Sequence, residues 1–243
     1  MFLNLIITEN YGGLSQKAAG IIEGMINFNP RIVLGLPTGS TPIGMYDRLI
    51  EAYEQERVSF SEVTTFNLDE YAGIPADHQG SFRTYMENNF FHGVDLLPEN
   101  RHIPEGDSDD LEEECQRYED KITRAGGIDL QILGIGANGH IAFNEPGDEF
   151  PLKTGVVELS EHTRRVNRSH FSDEENVPRK AITMGLGTIL SAEKILLMAN
   201  GESKARAVEL MLEEKIRTGI PASFLHLHDN VTVLLDREAA KNI

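Results

Sequence analysis

Among 243 residues the chain has a single cysteine, Cys115, so no internal disulfide and no thiolate metal cluster can form. Positive charge is scarce too. Lys and Arg number 22 against 39 Asp and Glu, a formal net charge of −17 at pH 7, and a field of that sign repels phosphodiester backbones and anionic lipid headgroups. Nucleic acid and acidic membranes are therefore poor partners. Long hydrophobic runs are missing. The longest stretches without Asp, Glu, Lys or Arg are Ile32–Tyr46 and Leu130–Asn144, fifteen residues each and both containing glycine. A membrane span needs roughly 18 apolar residues. The first basic residue, Lys17, follows the apolar stretch Phe2–Ile7, which is not the order of a secretory signal. No low-complexity linker, internal repeat or break in composition divides the chain. The expectation is one domain over 1–243 in a soluble, cytoplasmic protein.

What the chain does have is an alternation of short apolar runs with amphipathic stripes. Phe2–Thr8 is apolar and free of breakers, and Leu14, Ala18, Ile21, Ile22 and Met25 follow at spacings of 4, 7, 8 and 11, the stripe of a helix. Arg31–Leu36 is strand-like, and beyond a loop Ile43, Tyr46, Ile50 and Tyr53 mark one helical face, with Pro42 suited to the first turn. Val63–Leu68 is a third strand. Leu111, Cys115, Tyr118 and Ile122 recur at 4, 7 and 11, which makes Cys115 a core residue rather than a nucleophile, and Ile128–Leu133 follows as a strand. A helix over Ala181–Leu190, a strand at Ile195–Ala199, a helix from about Ser203 to Ile216 and a strand at Val231–Leu235 complete the pattern. Continuous apolar strands alternating with amphipathic helices predict an α/β fold: a single doubly wound, mainly parallel, Rossmann-like sheet with helices on both faces. Such sheets bind ligands beyond the carboxyl ends of their strands, so function is sought in the loops that follow strands.

Three of these loops are chemically dense. Gly35-Leu36-Pro37-Thr38-Gly39-Ser40-Thr41-Pro42 ends a strand and opens a helix, gathering glycine amides, hydroxyls and a helix N-terminus around one point. That is a phosphate cradle, or else a tight turn with Ser40 or Thr41 as an N-cap. No Lys follows the second glycine, so it is not a nucleotide triphosphate loop. A phosphate dianion near a chain of this charge needs local cations; Lys204 and Arg168 are candidates, unless they are merely solvated. Gly134-Ile135-Gly136-Ala137-Asn138-Gly139 matches the dinucleotide fingerprint literally, but Pro146-Gly147 stops any helix soon after it, and the fingerprint requires that helix. What the loop offers is His140 on a backbone that can approach a ligand closely, with Glu145 five residues on, a candidate acid–base pair. Asn67-Leu68-Asp69-Glu70-Tyr71 sets two adjacent carboxylates at a strand end. If extended they point to opposite sides, so only one faces the cleft; the other reading is a turn or helix cap. A carboxylate there could take a proton from carbon acidified by a neighbouring carbonyl or imine.

Together, Leu36-Pro37-Thr38-Gly39-Ser40-Thr41-Pro42, Phe66-Asn67-Leu68-Asp69-Glu70-Tyr71 and the run from Gly134 through Gly139-His140-Ile141-Ala142-Phe143-Asn144-Glu145-Pro146 closely resemble the glucosamine-6-phosphate deaminase family, in motif order and over nearly the whole chain. The resemblance implies an enzyme of amino-sugar catabolism that turns glucosamine 6-phosphate and water into fructose 6-phosphate and ammonia. It implies no metal or redox cofactor, and a monomer or small homo-oligomer. It makes Asp69 the base that moves a proton from C2 towards C1. His140 serves pyranose ring opening, with Glu145 as its carboxylate partner, and the phosphate rests on Gly39, Ser40 and Thr41 with Lys204 and an arginine. The chain departs from the family at three points. Asn138 stands where many relatives carry Asp, bringing hydrogen bonds but no charge. The family's phosphate arginine matches Ser169 without a gap and Arg168 only with a shifted one. Gly155 lies near a position that is basic in the allosteric hexamers, whose C-terminus is longer than one ending at Ile243, so activation by N-acetylglucosamine 6-phosphate is not expected. Two rivals remain: a 6-phosphogluconolactonase-like hydrolase, whose sequences lack Asn-Glu-Pro after the histidine, and a sugar-phosphate sensor without turnover.

Two features fall outside these loops. His226-x-His228-Asp229 has no third ligand in reach by sequence and reads as a strand-end loop rather than a metal site. Glu105–Asp120 holds nine acids against Arg117 and reads as a solvated helix face. Ala142–Lys153 is a candidate lid on composition.

Overall fold

The computed structural model describes residues 3–171 and 177–243. Strands β1 (Asn4–Thr8), β2 (Val33–Leu36), β3 (Thr64–Asn67), β5 (Arg101–His102), β6 (Leu130–Gly134), β9 (Lys194–Ala199) and β10 (Val231–Asp236) form one sheet in the order β1-β10-β9-β6-β2-β3-β5, with every neighbouring pair parallel. Phe2, the expected start of the first strand, lies outside the described residues.

The apolar runs follow from burial on both faces. In β9, Ile195, Leu197 and Ala199 face one core while Leu196 and Met198 face the other, and β10 divides Val231, Val233 and Leu235 from Leu234 in the same way. One core is closed by α1 (Tyr11–Phe28) and α2 (Ile43–Glu54), through Leu14, Ile22, Met45 and Leu49. The other is closed by α4 (Leu111–Arg124), α6 (Leu186–Leu190) and α7 (Ala205–Leu212), through Tyr118, Ile189 and Val208. Each fully buried aliphatic side chain contributes about 1.5–3 kcal/mol.

The helices start where the chain supplies acceptors. Asn10 accepts the Gly13 amide at 3.0 Å at the head of α1, and Asp110 accepts that of Glu113 at 2.9 Å at the head of α4. Glu112, Glu113 and Glu114 in the first turn of α4 and Lys121 and Arg124 in its last suit the helix dipole. The acidic segment is not wholly a solvated face. Glu114 is fully buried, where it pairs with Arg117 and accepts the Glu105 amide, and Glu119 accepts from Thr154 and Thr188.

The doubly wound, mainly parallel sheet is as expected, but its being single and the extents of two helices need correction. The parallel sheet is not alone: β4 (Asp69–Tyr71), β8 (Lys180–Thr183) and β7 (Gly155–Glu158) form a second, antiparallel sheet in the order β4-β8-β7. The helix expected over Ala181–Leu190 is therefore strand β8 followed by the shorter α6. Gly185 separates them, because a Cβ there would lie 2.4 Å from the carbonyl oxygens of Pro151 and Lys153 in the crossing loop. The helix expected to reach Ile216 ends at Leu212, with Glu213 extended, and the chain then turns back so that the Ala222 amide meets the Gly139 carbonyl at 2.9 Å. Among the described residues no helix is long and apolar enough to cross a membrane.

Candidate active site

From β2 the chain steps outward through β3 to β5, then returns to place β6 on the other side of β2 and moves through β9 to β10. Strand order thus reverses between β2 and β6, and the crevice beyond their carboxyl ends is the favoured ligand position of such sheets. The loops after β2, β6 and β9 border it.

In the loop after β2, Gly39 has φ +93°, a value that favours glycine, and none of the amides of Thr38, Gly39, Ser40 and Thr41 is hydrogen-bonded within the described residues. The capping alternative does not hold. Pro42 occupies the N-cap of α2 without a side-chain bond, while the Thr41 hydroxyl donates to Asn200 Oδ1 at 2.7 Å. That bond ties the loop to the one after β9, where the Gly201 amide meets the Asp236 carboxylate at 3.0 and 3.1 Å and the chain turns to present Lys204. Lys204 is partly buried, and burial pushes its ammonium pKa down. An anion would meet a partly dehydrated cation there.

After β6 the chain makes a turn closed by Gly139 N–H to the Gly136 carbonyl and Gly136 N–H to the His140 carbonyl, both 2.9 Å, and no helix follows until α5 (Glu161–Val166). The dinucleotide reading fails for the reason the Pro-Gly pair gave. Gly136 is required by the histidine, since a Cβ there would lie 2.3–2.6 Å from the His140 ring. Asn138 Oδ1 accepts the His140 amide and Asn138 Nδ2 donates to Glu145, each at 3.3 Å. Glu145 also accepts from the hydroxyls of Ser160, at 3.0 Å, and Thr163. Neither hydroxyl stood out in the sequence; the available signal was Ser160 at the head of a short helix with Thr163 three residues on.

At the third strand end the two carboxylates part as the alternation requires. Glu70 turns to the N-terminus of α3 (Phe82–Asn89) and accepts the amides of Tyr71, Phe82 and Arg83 at 2.8, 2.9 and 3.0 Å. Asp69 is left as the buried candidate base, and burial, with the neighbouring Glu70 charge, pushes its carboxyl up to about 8. Strand β8 braces this strand against the histidine loop. Thr183 is the register partner of Asp69 and accepts the Phe143 amide at 3.1 Å. The Met184 amide meets the Leu68 carbonyl at 2.8 Å, and the Met184 carbonyl receives Asn144 Nδ2 at 2.9 Å.

The remaining candidates are placed less centrally. Arg168 lies exposed on the 3₁₀ turn Asn167–His170 after α5, on the segment that carries Ser160 and Thr163; the side chain of Ser169 lies outside the described ones. His226 and His228 bond the carbonyls of Met211 and Ala192 at 2.8 and 2.7 Å, and among the described residues no group of three or more His, Cys, Asp or Glu could hold a metal ion. Cys115 is buried, as its stripe requires.

A doubly wound parallel sheet with an amide-lined loop, a glycine-seated histidine and a buried carboxyl at one end of its strands defines a class, and the chain belongs to it. The family of glucosamine-6-phosphate isomerases and 6-phosphogluconolactonases matches residues 11–234. Within that family, relatives at about half identity are named deaminases. The chain is 52% identical over 241 residues to the glucosamine-6-phosphate deaminase of Thermoanaerobacter sp. (strain X514), covering 99% of this chain and 95% of that protein. It is 51% identical over 232 residues to glucosamine-6-phosphate deaminase 1 of Bacillus subtilis (strain 168), covering 96% of each. A solved glucosamine-6-phosphate deaminase described as monomeric superposes with TM-score 0.96 at 49% identity, over 99% of this chain and 100% of that one. The 6-phosphogluconolactonase of Trypanosoma brucei, at TM-score 0.77 and 19% identity over 100% and 99% of the two chains, shares the fold alone.

Proposed function

We propose that residues 1–243 form one domain that converts glucosamine 6-phosphate and water to fructose 6-phosphate and ammonia, as a monomer or small homo-oligomer. The observation that carries this is the bracing of the Asp69 strand and the His140 loop by β8, at the strand ends that also hold the unused amides of residues 38–41. Phosphate is gripped by the amides of Gly39, Ser40 and Thr41 and the hydroxyl of Ser40, with Lys204, and Arg168 supplies a further cation. That grip fixes the distal sugar, converting proton transfer into an intramolecular event.

Ring opening needs a proton moved from the C1 hydroxyl to the ring oxygen, and His140, in a loop organised by Asn138 and Glu145, is the group suited to shuttle it. The open aldehyde acidifies the C2 hydrogen. Asp69 as carboxylate removes that hydrogen while the C1 carbonyl oxygen takes up a proton given by the substrate ammonium, forming a 1,2-enolamine; returning the hydrogen at C1 leaves an iminium at C2, to which water adds and from which ammonia departs. The raised pKa of Asp69 belongs to the unliganded site; a substrate ammonium beside it favours the carboxylate form the reaction uses.

Measuring ammonia released from glucosamine 6-phosphate tests the reading. The wild type releases it; Asp69→Asn loses most turnover while still binding inorganic phosphate, and equal rates would remove Asp69 from its role. Hydrolysis of 6-phosphogluconolactone without ammonia release would favour the lactonase reading, and ligand-induced thermal stabilisation without any turnover the sensor.

A further inference from the structure

The loop after β2 is held by three phenols that the reaction itself does not use. Tyr85 of α3 donates to the Gly39 carbonyl and Tyr46 of α2 to the Pro37 carbonyl, both at 2.6 Å. Tyr11, the first residue of α1, accepts the Gly44 amide at 2.8 Å and donates to the Ser40 or Thr41 carbonyl, at 3.2 and 3.1 Å. Three helices thus send one hydroxyl each to the same loop.

In a trans peptide the carbonyl and the following amide lie in one plane and point opposite ways, so fixing one aims the other. The carbonyls of Pro37, Gly39 and Ser40 share their planes with the amides of Thr38, Ser40 and Thr41. Those are three of the four amides that find no partner among the described residues. Left unheld, the carbonyls could swing towards a bound dianion and repel it.

We propose that Tyr11, Tyr46 and Tyr85 are positioning residues that turn the loop's carbonyls away from the substrate phosphate and aim its amides at it. The inference rests on the reading of this loop as the phosphate seat. Burial pushes the Tyr46 and Tyr85 phenols upward, so both keep the proton they donate. Aromatic residues that look like core packing in the sequence thereby set affinity for the charged end of the sugar.

Tyr11→Phe and Tyr85→Phe keep the rings and remove only the hydroxyls; Tyr53→Phe, on α2 but packed against the core, is the control. The measurements are KM and kcat for glucosamine 6-phosphate, competitive inhibition by inorganic phosphate, and thermal unfolding. Each loop variant should raise KM and the phosphate inhibition constant together by about three- to tenfold, the worth of one hydrogen bond, with kcat within about twofold of wild type. The double variant should lose more and Tyr53→Phe nothing. Folded variants with unchanged KM and phosphate inhibition, or losses confined to kcat or melting temperature, overturn the inference while leaving the seat intact. A wild type that inorganic phosphate does not inhibit overturns the seat, and the tyrosine role with it.

Discussion

At the residue scale the buried Asp69 works against the stability of the fold it serves. Its carboxyl is raised from 3.8 to about 8, first by burial and then by Glu70. A folded-state pKa above the unfolded one means the native chain holds the proton more tightly. The associated stability is fully present below pH 3.8 and is lost as pH rises through about 8. Asp69→Asn abolishes that dependence, so the variant should melt higher than wild type at pH 8–9 and the gap should narrow towards pH 4. Its slope is at most about 1.4 kcal/mol per pH unit. Thermal unfolding of both proteins across this range checks it, and a gap that does not change with pH would refute it. With Asp69 as the base proposed above, the same titration makes kcat/KM of the wild type rise towards pH 8, because the free enzyme must lose that proton first.

At the scale of elements, α3 depends on a carboxylate from another strand. Glu70 supplies the acceptor for the amides of Phe82 and Arg83, and α3 carries Tyr85 to the loop after β2. Glu70→Ala leaves those partly buried amides without their acceptor and should cost about 1–3 kcal/mol in chemical denaturation, with Glu70→Gln recovering much of it. Sequence alternation showed that Asp69 and Glu70 must face apart. Which of them was the cap depended on a helix start 12 residues further on, a tertiary fact. The parallel strands were legible because burial on both faces writes them as unbroken apolar runs. Strand β8 was not, since Ala181–Leu190 is too uniformly apolar for its period to separate strand from helix, and its partners β4 and β7 lie far away in sequence. The histidine loop was readable from glycine spacing and the Pro-Gly stop. The hydroxyls of Ser160 and Thr163 on Glu145 were not, because Ser and Thr at a helix start signal a cap whatever else they touch.

At the scale of the whole molecule, the two sheets differ in what holds them. The parallel sheet is sandwiched between two large apolar cores, whereas the small sheet leans on a cluster of Tyr71, Phe143, Leu159, Phe171, Val177 and Ala181. Hydrogen exchange should therefore be slowest in β2, β6, β9 and β10 and faster in β7 and β8, with the difference reduced when a substrate analogue is bound. Uniform protection across both sheets would contradict this. The edge strand β1 has a further consequence, since among the described residues its one neighbour in the sheet is β10, with Leu5 opposite Val233. During synthesis β1 leaves the ribosome long before β10, the strand it pairs with. Until β10 has been made the emerging chain must carry the backbone of Leu5 and Ile7 unpaired, an interval set by elongation rate rather than by any property of the finished sheet.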